Sequence, residues 1–134
     1  MKLEELFYGA WVKRTDFKYP EQVSAGELKN IFMDIENFGE DRQKEIEEIY
    51  NPVPITPEIL KNSGFKNWGS YFWDEKIEFR VSKSCINDSI WVCEYGRSKI
   101  ELRYVHELQN FIKICDYNIE INLWPPVGLE SNEA

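Results

Sequence analysis

The alternation of polar and apolar positions changes period near the C-terminal end of the chain, and that change marks the expected centre of the fold. Ile100, Leu102 and Tyr104 alternate with Glu101 and Arg103, the period of a half-buried strand. Tyr104, Leu108, Phe111 and Cys115, flanked by Val105 and Ile112, then recur at helical spacing, so the strand runs almost directly into an amphipathic helix. His106, Gln109, Asn110 and Lys113 repeat on the opposite face of that helix.

Earlier segments follow the same two periods. Leu3, Leu6 and Phe7 form a short lead-in, Tyr8 to Arg14 reads as a strand, and Asp16 to Glu21 reads as a loop around Pro20. Ser24 and Glu27 fit a capping box. Leu28, Ile31, Phe32 and Ile35 then favour a helix, with a strand through Ile31, Met33 and Ile35 as the competing reading. The polar run that follows predicts an exposed charged loop over residues 36–50. Thr56, Pro57 and Glu58 start a short helix that Gly64 closes.

From Asn67 the pattern is strands: Trp68 to Trp73, a turn at Asp74-Glu75, then Lys76 to Ser82 with Ile77, Phe79 and Val81 inward. Ile90 to Tyr95 follows, and Gly96-Arg97 turns it into the strand that begins at Lys99. Ile119, Ile121 and Leu123 alternate as a last strand, Pro125-Pro126 ends the fold, and a loose tail runs from residue 127. The whole predicts one domain, residues 1–134, of α+β class: an antiparallel sheet of five or six strands with two or three short helices on one side.

Composition narrows the partners. A net charge of −8 and a pI near 4.8 repel phosphate backbones, so no nucleic acid is expected and a basic protein is the better match. Met1 to Phe7 has no apolar signal-peptide core, and no apolar run approaches the roughly 18 residues of a membrane span. Cys85, Cys93 and Cys115 show no disulfide spacing and sit beside apolar neighbours, which suits free thiols in a cytoplasm.

Little in the chain points to a reaction. His106-Glu107 lacks the second histidine of a zincin, and Cys85, Cys93, His106 and Cys115 lack the short intervals of a structural zinc site, so no metal is expected. No phosphate loop, dinucleotide fingerprint or nucleophile elbow is present, and no catalytic residue or cofactor is assigned. Two groups remain as candidate binding residues: the helix face of His106, Gln109, Asn110 and Lys113, and Trp68, Tyr71 and Trp73 of the aromatic cluster Trp68, Tyr71, Phe72 and Trp73.

Two stretches carry a resemblance: Pro52-Val53-Pro54-Ile55-Thr56-Pro57-Glu58-Ile59-Leu60 with Gly64-Phe65, and Glu101-Leu102-Arg103-Tyr104-Val105-His106-Glu107-Leu108-Gln109-Asn110. Together they resemble a large group of small proteins of phages and integrated mobile elements in Bacteroides-type bacteria. That group shares the pattern P-I-P-L-T-x-E-x-L-x-x-x-G-F followed by E-L-x-Y-V-H-x-L-Q-N. This chain departs in Val53 and Ile55, and it lacks the aromatic and small-residue run that follows Gln-Asn in the group. The resemblance transfers no catalytic residue. It implies an accessory protein in the bacterial host cytoplasm, with host takeover or counter-defence as its setting. The expected activity is non-enzymatic binding of a host protein through an acidic and aromatic surface. The alternative is a small-molecule or nucleotide-sequestering protein that stacks its ligand on Trp or Tyr beside Arg80, Arg97 or Arg103.

Overall fold

A computed structural model describes residues 1–74, 79–115, 117 and 119–124. The turn expected at Asp74-Glu75, the inward position of Ile77, the end of the fold at Pro125-Pro126 and the tail from residue 127 fall wholly or partly outside the described residues. The class is α+β, as the periodicity predicts. The chain divides into two compact units, Met1–Val53 and the part from Pro54 onward.

The first unit opens with a short 3-10 turn at Leu3–Glu5. It holds a three-stranded antiparallel sheet of β1 (Trp11–Arg14), β2 (Glu21–Gln22) and β3 (Tyr50–Pro52), with β1 in the middle. Val12 pairs with Glu21 on one side and Pro52 on the other, so the segment expected to be all loop ends as an edge strand. Two helices follow β2 in the chain: α1 (Ala25–Phe38) and α2 (Glu40–Ile49). Ala10, Val12, Val23, Ile31, Ile46 and Tyr50 form the buried centre.

The helical reading of Leu28 to Ile35 is the one observed. Its start is the expected capping box: Glu27 N–H donates to Ser24 Oγ at 3.1 Å, and Ser24 N–H donates to Glu27 Oε1 at 3.4 Å. Ser24→Ala is therefore expected to cost about 1 kcal/mol, read as a lower thermal midpoint with an unchanged circular dichroism spectrum.

The charged loop expected over residues 36–50 is instead helix almost throughout. Gly39, with φ of +80°, is the only residue between α1 and α2. Its N–H donates to Ile35 O at 2.8 Å, and its own carbonyl accepts from Gln43 N–H at 3.2 Å. A left-handed glycine thus ends one helix and caps the next. Arg42 bonds Glu45 at 2.9 Å, one turn away, and Asp34 of α1 at 3.2 Å. Ile46 is the only fully buried residue of α2, so the segment's apolar signal is too thin to announce a helix.

The second unit begins with α3 (Pro57–Asn62), whose Thr56 hydroxyl accepts from Ile59 N–H at 3.2 Å. Its sheet is an antiparallel meander of β4 (Lys66–Asn67), β5 (Tyr71–Asp74), β6 (Phe79–Lys83), β7 (Trp91–Tyr95) and β8 (Ser98–Leu102), in that spatial order. One face turns Phe72, Phe79, Val81, Trp91, Cys93 and Leu102 inward. Phe65, just past α3, and Phe111, on α4 (Val105–Ile114), both pack on Phe79, with ring centroids 6.0 and 5.5 Å away. The Trp91 indole N–H donates to Ile55 O at 3.1 Å, so the buried ring is also satisfied as a donor.

The last strand expected at Ile119–Leu123 keeps its alternation but is not a strand. Ile121 and Leu123 are buried and Asn122 is exposed. Side chains at the end of α3 take the place of a ladder: Asn122 N–H donates to Ser63 Oγ at 2.8 Å, and Asn62 Nδ2 donates to Leu123 O at 3.1 Å. Periodicity records which side chains are buried, and a side-chain clamp can satisfy that pattern as well as a neighbouring strand can.

Candidate functional site

The helix face expected to recognise a partner is not a single surface. His106 is 5% exposed and stacks parallel to Tyr104, with centroids 5.9 Å apart. The buried arc of α4 centres on Val105, Leu108 and Ile112, while Tyr104, Phe111 and Cys115 are only half-buried. That arc is rotated from the predicted stripe toward His106, which carries the imidazole inward. Asn110 and Lys113 remain exposed, and Gln109 is half-buried. Glu107 caps the start of α4. Its Oε1 accepts from the backbone N–H groups of Arg103 at 2.9 Å and Tyr104 at 3.0 Å.

The aromatic cluster divides by strand parity. Trp68 lies in the turn between β4 and β5, more than half exposed, where its N–H donates to Tyr71 O at 2.9 Å and Gly69 takes φ of +81°. Phe72 goes to the core against Trp91. Tyr71 and Trp73 point to the outer face of the sheet, and the structure does bring these two together. Between them lies Arg80, directly opposite Trp73, with its guanidinium carbon 4.2 Å from the Tyr71 ring centroid and 5.9 Å from that of Trp73. Ser82, opposite Tyr71, shares this face. The same cross-strand rows continue as Arg80, Glu94 and Lys99, and as Ser82, Val92 and Glu101. Arg97 and Arg103, the other two arginines considered for stacking, lie off this face, in the β7–β8 turn and just past β8.

A second surface belongs to the first unit, and periodicity assigned part of it to the core. Phe32 was expected on the inward stripe of α1, but it is 52% exposed, Met33 is 49% exposed, and Phe38 at the helix end is 70% exposed. Ile31 takes the buried position alone. The signal for this lay in the sequence: apolar residues at 31, 32, 33, 35 and 38 are too many for one stripe of a helix with a single packed side. Carboxylates surround the exposed side chains. Between Ala25 and Ile49 eight acidic residues stand against three basic ones. Asp34, Phe38, Asp41, Arg42 and Glu45 line a shallow cleft of about 450 Å³. Arg42 is held there by Glu45 and Asp34, which raise its pKa above the ordinary arginine value.

Among the described residues no cluster of histidine, cysteine, aspartate or glutamate is arranged to hold a metal ion, and no helix is long and apolar enough to cross a membrane. Burial pushes the Cys93 thiol up to about 12, so it is a packed apolar side chain and not a nucleophile. Comparison of the chain with protein-family models, with curated proteins and with solved structures found no match.

Proposed function

We propose that the chain is a non-enzymatic protein-binding module, an accessory protein of a phage or mobile element, and that its contact with a host bacterial protein is the exposed side of α1 and the start of α2. The observation that carries this reading is the exposure of Phe32, Met33 and Phe38 within an acidic surround. Isolated exposed apolar residues are ordinary, but Phe32 and Met33 are adjacent on α1 and Phe38 lies in the cleft at the start of α2, so each offers an anchor for a partner's pocket. The carboxylates around them select a basic partner and speed its approach. The motif resemblance supplies the biological setting.

Recovery of partners from a Bacteroides-type lysate tests this with matched variants. The wild-type chain is expected to retain one basic host protein in stoichiometric amount, weakened about tenfold at roughly 0.5 M salt. Phe32→Ser with Phe38→Ser is expected to abolish retention while leaving the thermal midpoint within about 0.5 kcal/mol of stability, since neither ring is buried. Equal recovery by the double variant, or background proteins only, overturns the proposal.

A further inference from the structure

We infer that the outer face of the five-stranded sheet in the second unit binds a small planar aromatic anion of the mononucleotide class, a site independent of the protein-binding surface on α1. The starting point is the environment of Arg80. Arg14 and Arg42 each pair with two carboxylates. Among the described residues the contacts of Arg80 are the rings of Tyr71 and Trp73, and it makes no ion pair. Glu94, its direct cross-strand neighbour, pairs instead with Lys99 at 3.6 Å.

A guanidinium laid on aromatic rings keeps its edge N–H donors pointed outward, in the fork geometry that suits a phosphate or carboxylate. Ser82 stands two residues along β6 on the same face, about 7 Å away, and its hydroxyl is a second donor for the same anion. Trp73 and the flat guanidinium together offer a π-surface for a ring. Next to them runs a groove of about 480 Å³ lined by Ser82, Glu94, Lys99, Glu101 and Ile86, among others. Its size lies within the span of roughly 300–1,000 Å³ usual for small-molecule sites.

Charge sets the ligand class more narrowly. Arg80 and Lys99 on the face, with Lys83 at the groove, stand against Glu94 and Glu101, so the site can neutralise a single anionic group but not a chain of phosphates. Glu94 and Glu101 in turn can accept hydrogen bonds from exocyclic amino or ring N–H groups of a base. The arrangement therefore favours a mononucleotide over an oligonucleotide.

Amide chemical shifts of the full-length chain, titrated with AMP, GMP, CMP, UMP and inorganic phosphate, test the site. At least one mononucleotide is expected to give saturable shifts confined to β5, β6, β7 and β8 and to residues 84–86 beside the groove, at about tenfold higher affinity than phosphate alone. Arg80→Gln is expected to weaken that binding by about tenfold or more, and Ser82→Ala by about threefold. Ser82→Ala keeps the test decisive if Arg80→Gln disturbs the strand. No saturable shift up to about 10 mM overturns the site. So do shifts elsewhere in the chain, or phosphate equal to every nucleotide. An eight-residue oligothymidylate that binds more than about tenfold tighter than any mononucleotide makes the face a single-strand platform and overturns the ligand class.

Discussion

Phe79→Ala is expected to destabilise the second unit by about 3–5 kcal/mol, the range for deleting a fully buried aromatic ring whose surroundings cannot collapse. Phe79 is 0% exposed on the central strand β6, and its ring is gripped by Phe65 from one end of the unit's fold and Phe111 from α4. Strands constrained on both sides cannot close in to fill the space. Urea unfolding followed by tryptophan fluorescence measures the effect, because Trp68, Trp73, Trp91 and Trp124 lie in this unit and only Trp11 lies in the other. The midpoint should fall with the slope unchanged, and Phe79→Leu should recover most of the loss. A loss under about 1 kcal/mol for the alanine variant would mean that this ring is not the centre of the unit's packing.

The second large effect belongs to Glu27 in the first unit. One carboxylate there caps α1 through Ser24, accepts the buried Tyr50 hydroxyl, and lies 3.7 Å from Arg14. Glu27→Ala leaves the Tyr50 phenol buried without that acceptor, and is expected to cost about 2–4 kcal/mol. The same contact sets a pH dependence. Burial first, then the bond to Glu27, raises the Tyr50 pKa well above that of a free tyrosine. Below the free value of about 10 both states hold the proton, and the stabilisation is complete. As pH rises beyond it the unfolded chain releases the proton while the fold retains it, so stability falls until the pH passes the raised value. Thermal midpoints between about pH 9 and pH 12 should therefore fall more steeply for the wild type than for Tyr50→Phe. Parallel slopes would show that the phenol does not stay protonated in the fold.

Much of this architecture is legible where one local rule acts alone. Thr56-Pro57-Glu58 and Ser24 to Glu27 sit at helix starts because capping chemistry involves residues adjacent in the chain. The meander from Tyr71 to Leu102 is legible because buried strands alternate and short turns join them. What escapes depends on partners far along the chain. α2 is held through Ile46 and an arginine shared with α1, and neither leaves a strong local period. Glu21–Gln22 becomes a strand only because Trp11 and Val12 pair with it. The candidate site divides in the same way. Tyr71 and Trp73, named only as members of one aromatic cluster, do share a face of the sheet, but a modest rotation of the buried arc on α4 took His106 inside and left Asn110 and Lys113 outside.

The three cysteines are graded by depth: Cys85 is exposed, Cys115 is intermediate, and Cys93 lies midway along β7 with none of its surface accessible. A thiol held protonated and shielded reacts with a maleimide only when its strand opens, whereas the exposed Cys85 reacts without any opening step. The protein therefore carries a stopwatch and its own time zero. The ratio of the two labelling rates, followed by mass spectrometry on unaltered protein, reads the free energy of opening at β7 directly. A ligand seated across β5 to β7 would register there as a slowing of the Cys93 clock alone.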